Sequence, residues 1–300
     1  MVVATTSTLM SHQQILSIKR FTLTIVDEAS QILEPNIIGL LARLGKFILI
    51  GDHKQLPAVV QQSEADSNVN DPLLRAIGLT NCRNSLFERL NNFILASSVL
   101  TDKDFHVGIL HFQGRMHPEV AAWSNSMFYR DEDLKPVPLP HQEELHLDYN
   151  EPSADDIDDK LRHHRMLFFD VRKDNIEGNV DLKSNIAEAR LCADIITRLR
   201  RQLGRKYDEN KSIGIIVPYR NQISLIRKEL EALGDSTTCN ITIDTVERYQ
   251  GSQRDIIIFC FTISQNHQLE FLTANTVTIE GSSPYNVDRK LNVALTRARK

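Results

Sequence analysis

The sequence contains six short apolar runs, and each of them stands beside a polar or helix-like stretch. Continuous runs of Val, Ile, Leu and Phe are typical of strands that are buried on both faces, as in parallel sheets covered by helices. Segments such as EARLCADIITRLRRQLG and RNQISLIRKELEALG have helical apolar spacing, end at glycine and fit crossover helices. The pattern predicts an α/β fold with parallel sheets flanked by helices. The six runs are TLTIVDEA, KFILIGD, HRMLFFDV, SIGIIVPY, NITIDTV and RDIIIFCFTIS.

Bulk composition narrows the class of protein. With 300 residues, 41% hydrophobic and 25% charged, the chain has ordinary globular composition and the length for one large or two medium domains. The net charge of −4 predicts that any nucleic-acid surface is a local groove. The four cysteines form no C-x-x-C pair, which argues against a zinc site and a secreted disulfide framework. Without a signal peptide or an apolar run near the roughly 20 residues that span a bilayer, we expect a soluble cytoplasmic protein that binds no membrane.

The composition shifts to acids, His and Pro between about residues 131 and 160. Little periodicity is visible in this acidic segment, so we interpret it as an irregular loop or insertion on the solvated surface. Gating a channel and binding a cationic partner are the functional alternatives. The pattern assigns the segment no chemistry.

Two adjacent carboxylates, Asp27 and Glu28, follow the apolar residues 21–26. Five of those six residues are β-branched or aromatic, which predicts a buried strand. At the carboxyl end of a parallel strand, side chains emerge into the crevice where α/β proteins bind ligands. One carboxylate there can hold hydrated Mg²⁺ while the other polarises an attacking water. The alternative is helix capping, because Asp is common before a helix and Glu34 or Asn36 can also begin one.

A second apolar run, KFILIGDHKQLPAV, also ends in a polar loop and is expected to lie in the same sheet. Gly51 permits the turn, and Gln55 can hydrogen-bond to a phosphate oxygen or a water and so detect a terminal phosphate. Two such strand ends, DEASQ and then GDHKQLP, indicate a phosphate-handling site more strongly than either does alone.

These motifs belong to a longer ordered series, in which the chain resembles superfamily 1 helicases, AAA-type ATPases of the 5′-to-3′ branch. That branch includes nonsense-mediated-decay and Okazaki-fragment-processing helicases. The matching segments occur in the family's order and span nearly the whole chain outside the acidic segment. Besides DEASQ and GDHKQLP they are ATTST, SLFERL, QGRMHPEV, VPYRNQ, DTVERYQGSQRD and RKLNVALTRARK.

The resemblance implies two RecA-like domains that clamp ATP and advance along a single strand of DNA or RNA. We expect residues 1–105 to form a partial first domain and residues 106–300 to form a nearly complete second domain that contains the acidic segment. The implied cofactors are ATP and Mg²⁺, and accessory domains are expected upstream. In this assignment Asp27 ligates Mg²⁺, Glu28 activates water, and Gln55 links the γ-phosphate to strand movement.

Two arginines, Arg115 in QGRMHP and Arg297 in ALTRAR, match the family arginines that reach the phosphates from the second domain. A guanidinium is permanently charged and forked, so it can neutralise charge that builds on a transferred phosphoryl group. The alternative for either arginine is a surface ion pair, which contributes little to stability.

The resemblance also assigns nucleotide contacts to Gln113, Gln250, Gly251 and Gln253. Gly251 would let the backbone approach the nucleotide closely, with Gln250 and Gln253 nearby to hydrogen-bond. The alternative for RYQGSQRD is a simple turn before the strand DIIIFCF.

Five further polar residues match positions that touch the backbone of the nucleic-acid strand in the family. Hydroxyl groups and arginine at loop tips can hold phosphates without reading bases, as a sequence-tolerant motor requires. Taken alone, each is more often a helix-cap or turn residue. The five are Thr6, Ser7, Tyr219, Arg220 and Thr245.

The sequence also departs from the family pattern. The P-loop G-x-x-x-x-G-K-[ST] does not occur in it, and the nearest fragment, Gly45-Lys46, is followed by Phe47, which has no hydroxyl for Mg²⁺. In the family this loop precedes ATTST, so we expect the chain to be a piece of a longer protein that alone hydrolyses ATP negligibly. Gly114 stands where many relatives carry a tyrosine that can stack on the base, which leaves adenine preference open.

Two alternatives to a motor stay open at this point. One is a catalytically silent nucleic-acid-binding module, and the other is a nucleotide switch that changes partners without unwinding. The presence of Glu28, Arg115 and Arg297 argues against the first, since a pure binder has no need of a water-activating acid. Strand displacement by the full-length protein, with and without ATP, separates the second from a motor, which fold analogy cannot do.

Overall fold

The computed structural model describes residues 1–96, 106–145, 147, 149, 151–171, 183–234, 240–263, 267–273, 275–278 and 285–300. The chain divides into two compact units, Met1–Ile109 (unit 1) and Leu110–Lys300 (unit 2). The boundary expected from the sequence, between residues 105 and 106, falls at the edge of residues 97–105, which lie outside the described residues.

Unit 1 contains two parallel strands in its described part. β1 (Leu23–Val26) and β2 (Lys46–Leu49) pair in register, with Val26 opposite Leu49. The runs TLTIVDEA and KFILIGD are therefore adjacent parallel strands, as predicted. The α-helices in the described part of this unit are α1 (Thr6–Ser11), α2 (Gln14–Ile18), α3 (Ile38–Leu41), α4 (Pro72–Ala76) and α5 (Leu86–Ala96).

The two faces of this sheet have different surroundings. Side chains alternate between the faces along a strand, and Val26 and Leu49 pack against a buried apolar cluster. On the opposite face the register partners Ile25 and Ile48 are 59% and 47% exposed. Parallel sheets are normally covered on both faces, so this second face is an uncovered apolar surface of the described chain. The prediction of a strand at residues 21–26 is therefore right in its pairing but wrong in its burial, because no described element covers this face. The buried cluster consists of Ile37, Leu41 and Leu86.

A buried ion pair ties the loop after β1 to α5. Arg89 Nε and Nη2 each donate to one carboxylate oxygen of Glu34 at 2.6 Å, and Arg89 Nη1 donates to the Ile77 carbonyl at 2.7 Å. The two side chains are 9% and 11% exposed. The paired geometry requires a guanidinium, which accounts for the arginine in SLFERL and fixes the chain that follows the two acids.

Unit 2 is built around a three-stranded parallel sheet with the order β6-β5-β7. Two shorter sheets, parallel β3-β4 and antiparallel β8-β9, lie in the same unit. No helix among the described residues is both long and apolar enough to cross a membrane. The strands are β3 (Phe112–Gln113), β4 (Lys135–Pro136), β5 (Ile213–Val217), β6 (Thr242–Thr245), β7 (Ile256–Phe259), β8 (Asn275–Thr278) and β9 (Tyr285–Asp288). The helices are α6 (Pro118–Phe128), α7 (Pro140–Glu143), α8 (Asp156–His163), α9 (Ile186–Leu203), α10 (Arg220–Ala232), α11 (Val246–Tyr249), α12 (Gln268–Leu272) and α13 (Arg289–Leu295).

The core of unit 2 forms where α9 and α10 pack on β5. Ala189 and Ile196 of α9 and Ile226 of α10 belong to the same buried cluster as Ile213 and Ile215 of the strand. β5 is buried at every residue, as expected for a central strand covered on both faces. The runs SIGIIVPY, NITIDTV and RDIIIFCFTIS are therefore confirmed as parallel strands, and the two predicted crossover helices are α9 and α10.

The run HRMLFFDV forms no strand in the part of the chain that the structure describes. Leu167 and Phe169 pack against the core cluster, while Phe168 is 79% exposed. The prediction of a strand here is wrong, because burial of alternate side chains is achieved without pairing of the backbone. An apolar run shows that a segment is buried, but it does not show that another strand lies beside it to pair with.

The acidic segment is more regular than the sequence predicts, since it contains β4, α7 and α8. Asp158 of α8 is fully buried and accepts hydrogen bonds from Arg198, at 3.0 Å, and from Arg201. Leu161 of the same helix joins the core cluster. The interpretation as an irregular solvated loop is wrong for these stretches. In α8 the reason is that Arg198 and Arg201 of α9 neutralise the buried charge of Asp158.

Replacing Arg89 with methionine is expected to destabilise unit 1 by about 3–5 kcal/mol, because Glu34 is then left buried and unpaired. The double variant Glu34→Leu/Arg89→Met is expected to recover most of that loss, since it buries no charge. Urea unfolding of the 300-residue chain measures both. Lys135→Met removes an exposed pair with Asp133 and serves as the control, with an expected loss below about 1 kcal/mol. A similarly small loss for Arg89→Met would contradict the prediction.

Candidate functional site

The two carboxylates of DEASQ lie at the carboxyl end of β1, beside the end of β2. The Ile50 amide donates to the Val26 carbonyl, and the Ala29 amide donates to the Ile50 carbonyl, both at 2.8 Å. These bonds continue the parallel ladder past the last strand residues. They hold Asp27 and Glu28, both of which are exposed to solvent, against the start of the GDHKQ loop.

Glu28 has a strained backbone. Its φ of 52° and ψ of 36° lie in the left-handed region, which costs a residue with a side chain roughly 1–2 kcal/mol. Gln31 Nε2 donates to Glu28 Oε2 at 2.6 Å, and the Glu28 amide donates to Asp27 Oδ1 at 2.9 Å. Strain of this kind persists only where the surrounding structure enforces it, and such residues cluster at functional sites.

Helix capping does not explain these acids. Glu28 occupies the N-cap position of the short 3₁₀ helix Ala29–Gln31 without any side-chain capping bond. The bond that Asp27 accepts comes from the Glu28 amide, which precedes that helix. The capping alternative is therefore wrong for both residues.

The loop after β2 is shaped by one close approach. A Cβ atom on Gly51 would lie 2.8 Å from the Ser30 amide nitrogen, which is closer than Cβ atoms in proteins approach other heavy atoms. Ser30 Oγ accepts from the Asp52 amide at 3.3 Å, and Asp52 accepts from the Lys54 amide at 2.9 Å and from Gln55 Nε2 at 2.8 Å. Asp52 thus orients the predicted phosphate sensor. This role of Asp52 was not predicted from the sequence, although the GD turn is a signal for it.

In unit 2, Arg115 joins three segments that are far apart in the sequence. Its Nε donates to Gln253 Oε1 at 3.2 Å, and its Nη1 donates to the Thr296 carbonyl at 3.1 Å. These partners lie 138 and 181 positions further along the chain. The segments QGRMHP, QGSQRD and LTRAR therefore meet at one guanidinium.

Arg297 lies next to this junction but is buried, with 3% of the residue exposed. Its Nε donates to the Val293 carbonyl at 3.1 Å, and its Nη2 donates to Thr296 Oγ1 at 3.2 Å. Its own carbonyl accepts from the Arg254 amide at 3.0 Å. The surface-ion-pair alternative is therefore wrong for Arg297, while its contact with a phosphate stays a prediction.

Gln113 closes its own turn, and we call residues 113–116 the arginine turn. Gln113 Oε1 accepts from the Arg115 amide at 3.0 Å and from the Met116 amide at 2.8 Å, while Nε2 donates to the Met116 carbonyl at 2.8 Å. The side chain thus shapes the backbone that carries Arg115. A direct contact of Gln113 with a nucleotide stays a prediction.

Gly251 is required by its conformation. Its φ of 79° is one that side-chain-bearing residues rarely adopt, whereas a Cβ atom placed there meets nothing within 4 Å. A turn with positive φ therefore accounts for glycine at this position. Gln250 Nε2 is buried and has no acceptor in the described part of the chain. Nucleotide contacts by Gln250, Gly251 and Gln253 stay predictions.

A second glycine, Gly214, positions the QGSQRD loop and was not predicted from the sequence. A Cβ atom on this residue of β5 would overlap the Tyr249 hydroxyl and lie 2.7 Å from Arg254 Cγ. Burial raises the pKa of Tyr249 to about 12, and the Arg254 guanidinium lies 5.8 Å from the centre of its ring. The residues on either side of Gly251 thus rest on β5. The signal was a lone glycine inside an apolar run.

His117, which follows the arginine turn, is held in its neutral form. Its Nδ1 accepts from the Glu119 amide at 3.2 Å, so Nε2 carries the proton and donates to the Glu144 carbonyl at 3.1 Å. Burial, and then the charge of Arg165, lowers the pKa of His117. Because the pKa of His117 is lower in the folded chain than in the unfolded chain, the unfolded chain binds a proton at a higher pH as the pH falls. Stability from this residue is therefore complete above the ordinary histidine pKa and falls as the pH drops toward the lowered one.

Two of the predicted nucleic-acid contacts lie at the carboxyl ends of neighbouring strands in the unit 2 sheet. Thr245 of β6 is the register partner of Val217 of β5, and Tyr219 follows shortly after Val217. Each occupies the N-cap position of a helix without a side-chain capping bond, so capping does not account for them. Arg220 begins α10 and is exposed. Contact of all three with nucleic acid stays a prediction.

In unit 1, Thr6 and Ser7 lie in the first turn of α1. The cap of this helix is Thr5, whose Oγ1 accepts from the Thr8 amide at 3.1 Å. Thr6 is half-buried and Ser7 is exposed. Capping therefore explains neither residue, and their contact with nucleic acid stays a prediction.

Comparison with known proteins identifies the family. A family model described as an AAA domain matches residues 82–300, and a second model with the same description matches residues 1–63. The chain therefore belongs to the AAA-domain family. Its resemblance to superfamily 1 helicases of the 5′-to-3′ branch is confirmed by the relatives that it matches.

Three of these relatives show the extent of the match. The chain is 31% identical to the DNA replication ATP-dependent helicase/nuclease DNA2 of Xenopus laevis, over 99% of this chain and 26% of that protein. It is 31% identical to Helicase sen1 of Schizosaccharomyces pombe, over 93% and 14%. It is 28% identical to DNA polymerase alpha-associated DNA helicase A of Saccharomyces cerevisiae, over 93% and 37%. The chain thus spans between 14% and 37% of the length of these three proteins.

Glu28→Gly is expected to be more stable than Glu28→Ala by about 1 kcal/mol, because glycine adopts the left-handed backbone without strain. Urea unfolding of the two variants measures the difference. The opposite order, with alanine more stable by about 1 kcal/mol, is expected for the control pair at Asn92, an exposed position in the helix α5. If alanine is the more stable residue at position 28 as well as at position 92, the backbone of Glu28 is not strained.

Proposed function

We propose that this chain is part of an ATP-dependent helicase or translocase that couples ATP hydrolysis to movement along a single strand of nucleic acid. Hydrolysis also needs the P-loop that this sequence lacks, so the chain alone is expected to hydrolyse ATP negligibly. The observation that carries the proposal is Glu28, an exposed carboxylate on a strained backbone that Gln31 orients. The relatives add support, because all three carry the name helicase and DNA2 is named as ATP-dependent.

Glu28 is the proposed general base. Its carboxylate takes a proton from the attacking water as the water oxygen bonds to the γ-phosphorus and the bond from that phosphorus to the leaving ADP oxygen breaks. An exposed acid suits this role, since water must reach it. Gln55, whose amide Asp52 orients, is proposed to detect the γ-phosphate.

Asp27 fits the proposed Mg²⁺. This ion prefers oxygen ligands and usually takes one or two carboxylates from the protein, with water and phosphate oxygens as its other ligands. The described residues contain no group of three or more His, Cys, Asp or Glu side chains that could hold a metal ion, and Mg²⁺ bound with ATP needs none. When bound, Mg²⁺ would neutralise phosphate charge.

Arg115 and Arg297 are proposed to neutralise charge on the phosphates in the transition state. A guanidinium that is already positioned needs little reorganisation when that charge appears, and Arg115 is held by Gln253 and the Thr296 carbonyl. Arg297 is held by α13 and must exchange those bonds for phosphate oxygens. The same proposal assigns nucleotide contacts to the residues Gln113, Gln250, Gly251 and Gln253.

The proposed nucleic-acid contacts are made to the backbone of the strand. Hydroxyl groups and a guanidinium can bind phosphate and sugar without reading base edges, so binding is expected to be independent of sequence. The residues proposed for these contacts are Thr6, Ser7, Tyr219, Arg220 and Thr245.

In the full-length gene product, Glu28→Gln is expected to lower ATP turnover by about 10²–10⁴-fold, the usual contribution of a general base. ATP binding is expected to persist, because the amide keeps the size of the side chain. Phosphate release and titration with a fluorescent nucleotide measure the two quantities. Glu64→Gln changes an exposed acid of the same unit and is expected to retain wild-type turnover.

Strand displacement from a partial duplex decides between the motor and its alternatives. The motor requires that displacement depend on ATP and disappear together with turnover in Glu28→Gln. Turnover that survives Glu28→Gln would refute the assignment of the base. Turnover by the wild-type protein without displacement or translocation would favour a nucleotide switch.

A further inference from the structure

The helix α7, in the acidic segment, contributes a buried glutamine to the arginine turn. Gln142 is 4% exposed, and its Nε2 donates to the carbonyls of Gln113 and Met116, each at 2.9 Å. These are the first and last carbonyls of the turn, so one amide group spans it. From the same helix, His141 Nε2 lies 2.9 Å from the carbonyl of Arg115 itself.

The contacts of α7 complement those made by Gln113. Gln113 Oε1 accepts from the amides of Arg115 and Met116, whereas α7 engages three carbonyls of the turn. Peptide groups that are held on both their donor and acceptor sides have little freedom to rotate. The backbone conformation at Arg115 is therefore fixed, and with it the direction of the Cα–Cβ bond of its side chain.

The chemistry of Gln142 shows what the position requires. Its Oε1 is buried and has no donor in the part of the chain that the structure describes. Leaving a buried acceptor unpaired is unfavourable, and a methionine of similar length would avoid that cost. The glutamine is therefore explained by its two N–H groups and not by the space that it fills.

Glu144, one residue after α7, extends these contacts to the C-terminal residues. Its carbonyl accepts from His117 Nε2 at 3.1 Å, and its carboxylate pairs with Lys300 at 3.1 Å. The His117 amide also donates to the Arg299 carbonyl at 2.8 Å. Residues 141–144 thus contact both segments that carry the candidate arginines.

We propose that Gln142 is a positioning residue, which fixes the arginine turn through its two N–H groups and so fixes the Arg115 guanidinium. The proposal rests on the proposed function only for the statement that Arg115 acts on phosphate. It assigns a role to the acidic segment, which the sequence left without chemistry.

Hydrogen exchange tests the structural part in the 300-residue chain. Gln142→Met is expected to speed exchange of the Arg115 and Met116 amides by at least about 10-fold, the change that follows from losing two buried hydrogen bonds. Gln202→Met is the matched control, since Gln202 is also fully buried in unit 2 with an unpaired Oε1. It should leave these two amides unchanged. Unchanged exchange in Gln142→Met overturns the proposal.

ATP turnover by the full-length gene product tests the functional part. Gln142→Met is expected to lower kcat by about 10- to 100-fold while changing KM for ATP by less than about 3-fold, as for a misplaced group that acts in the transition state. Gln202→Met is expected to retain wild-type kcat. Faster exchange at the turn with an unchanged kcat overturns the positioning role.

A second variant covers the case in which Gln142→Met fails to fold. Gln142→Asn keeps both N–H groups on a shorter side chain, and it is expected to give intermediate exchange rates and an intermediate kcat. The proposal requires exchange at the turn and kcat to change together, so wild-type exchange with kcat lowered at least about 10-fold, or faster exchange with wild-type kcat, overturns it. If the wild-type protein itself shows no turnover, the proposed function fails, and the exchange rates alone decide whether Gln142 holds the turn.

Discussion

Two close approaches to a glycine backbone shape the loops that carry the candidate residues, one in each unit. At Gly51 the end of β2 lies against Ser30, and this contact sets the GDHKQ loop beside the two acids. At Gly214 the sheet of unit 2 leaves room for the side chains of Tyr249 and Arg254, which lie on either side of Gly251 and hold the QGSQRD loop against β5. Protein interiors are close-packed, so even one added methyl group is felt. A methyl group at either glycine would displace a loop that carries candidate residues.

The candidate side chains are also held by other polar groups. Gln31 orients Glu28, Asp52 orients Gln55, and Gln113 shapes the turn that carries Arg115. Groups that are oriented before the substrate arrives need no reorganisation as charge develops, and this is the usual source of electrostatic catalysis. The left-handed backbone of Glu28 fits the same account, because the ladder between β1 and β2 continues on both sides of it and enforces the strain. Sites of this kind combine an exposed reactive group with a rigid support.

The five strands of the β1-β2 and β6-β5-β7 sheets could be predicted from the sequence, because each of them coincides with a continuous apolar run. The strands β3, β4, β8 and β9 lie outside the predicted runs. The prediction failed at HRMLFFDV, where apolar side chains are buried without a strand partner, and in the acidic segment, where Arg198 and Arg201 neutralise Asp158. The order of the motifs indicated the acids and the arginines. The residues that position the candidate side chains could not be predicted. Gln142 and Gly214 act through contacts between segments that are far apart in the chain, and no local sequence pattern encodes such contacts.

We propose that the Arg115 guanidinium acts on phosphate from a fixed position, and chemical rescue tests this role most directly. In the full-length gene product, Arg115→Ala is expected to lose most of its ATP turnover, and added guanidinium chloride is expected to restore part of it. Sodium chloride at equal ionic strength should restore nothing, and guanidinium should not rescue Glu28→Gln. Wild-type turnover by Arg115→Ala, or equal effects of guanidinium on both variants, would contradict the account.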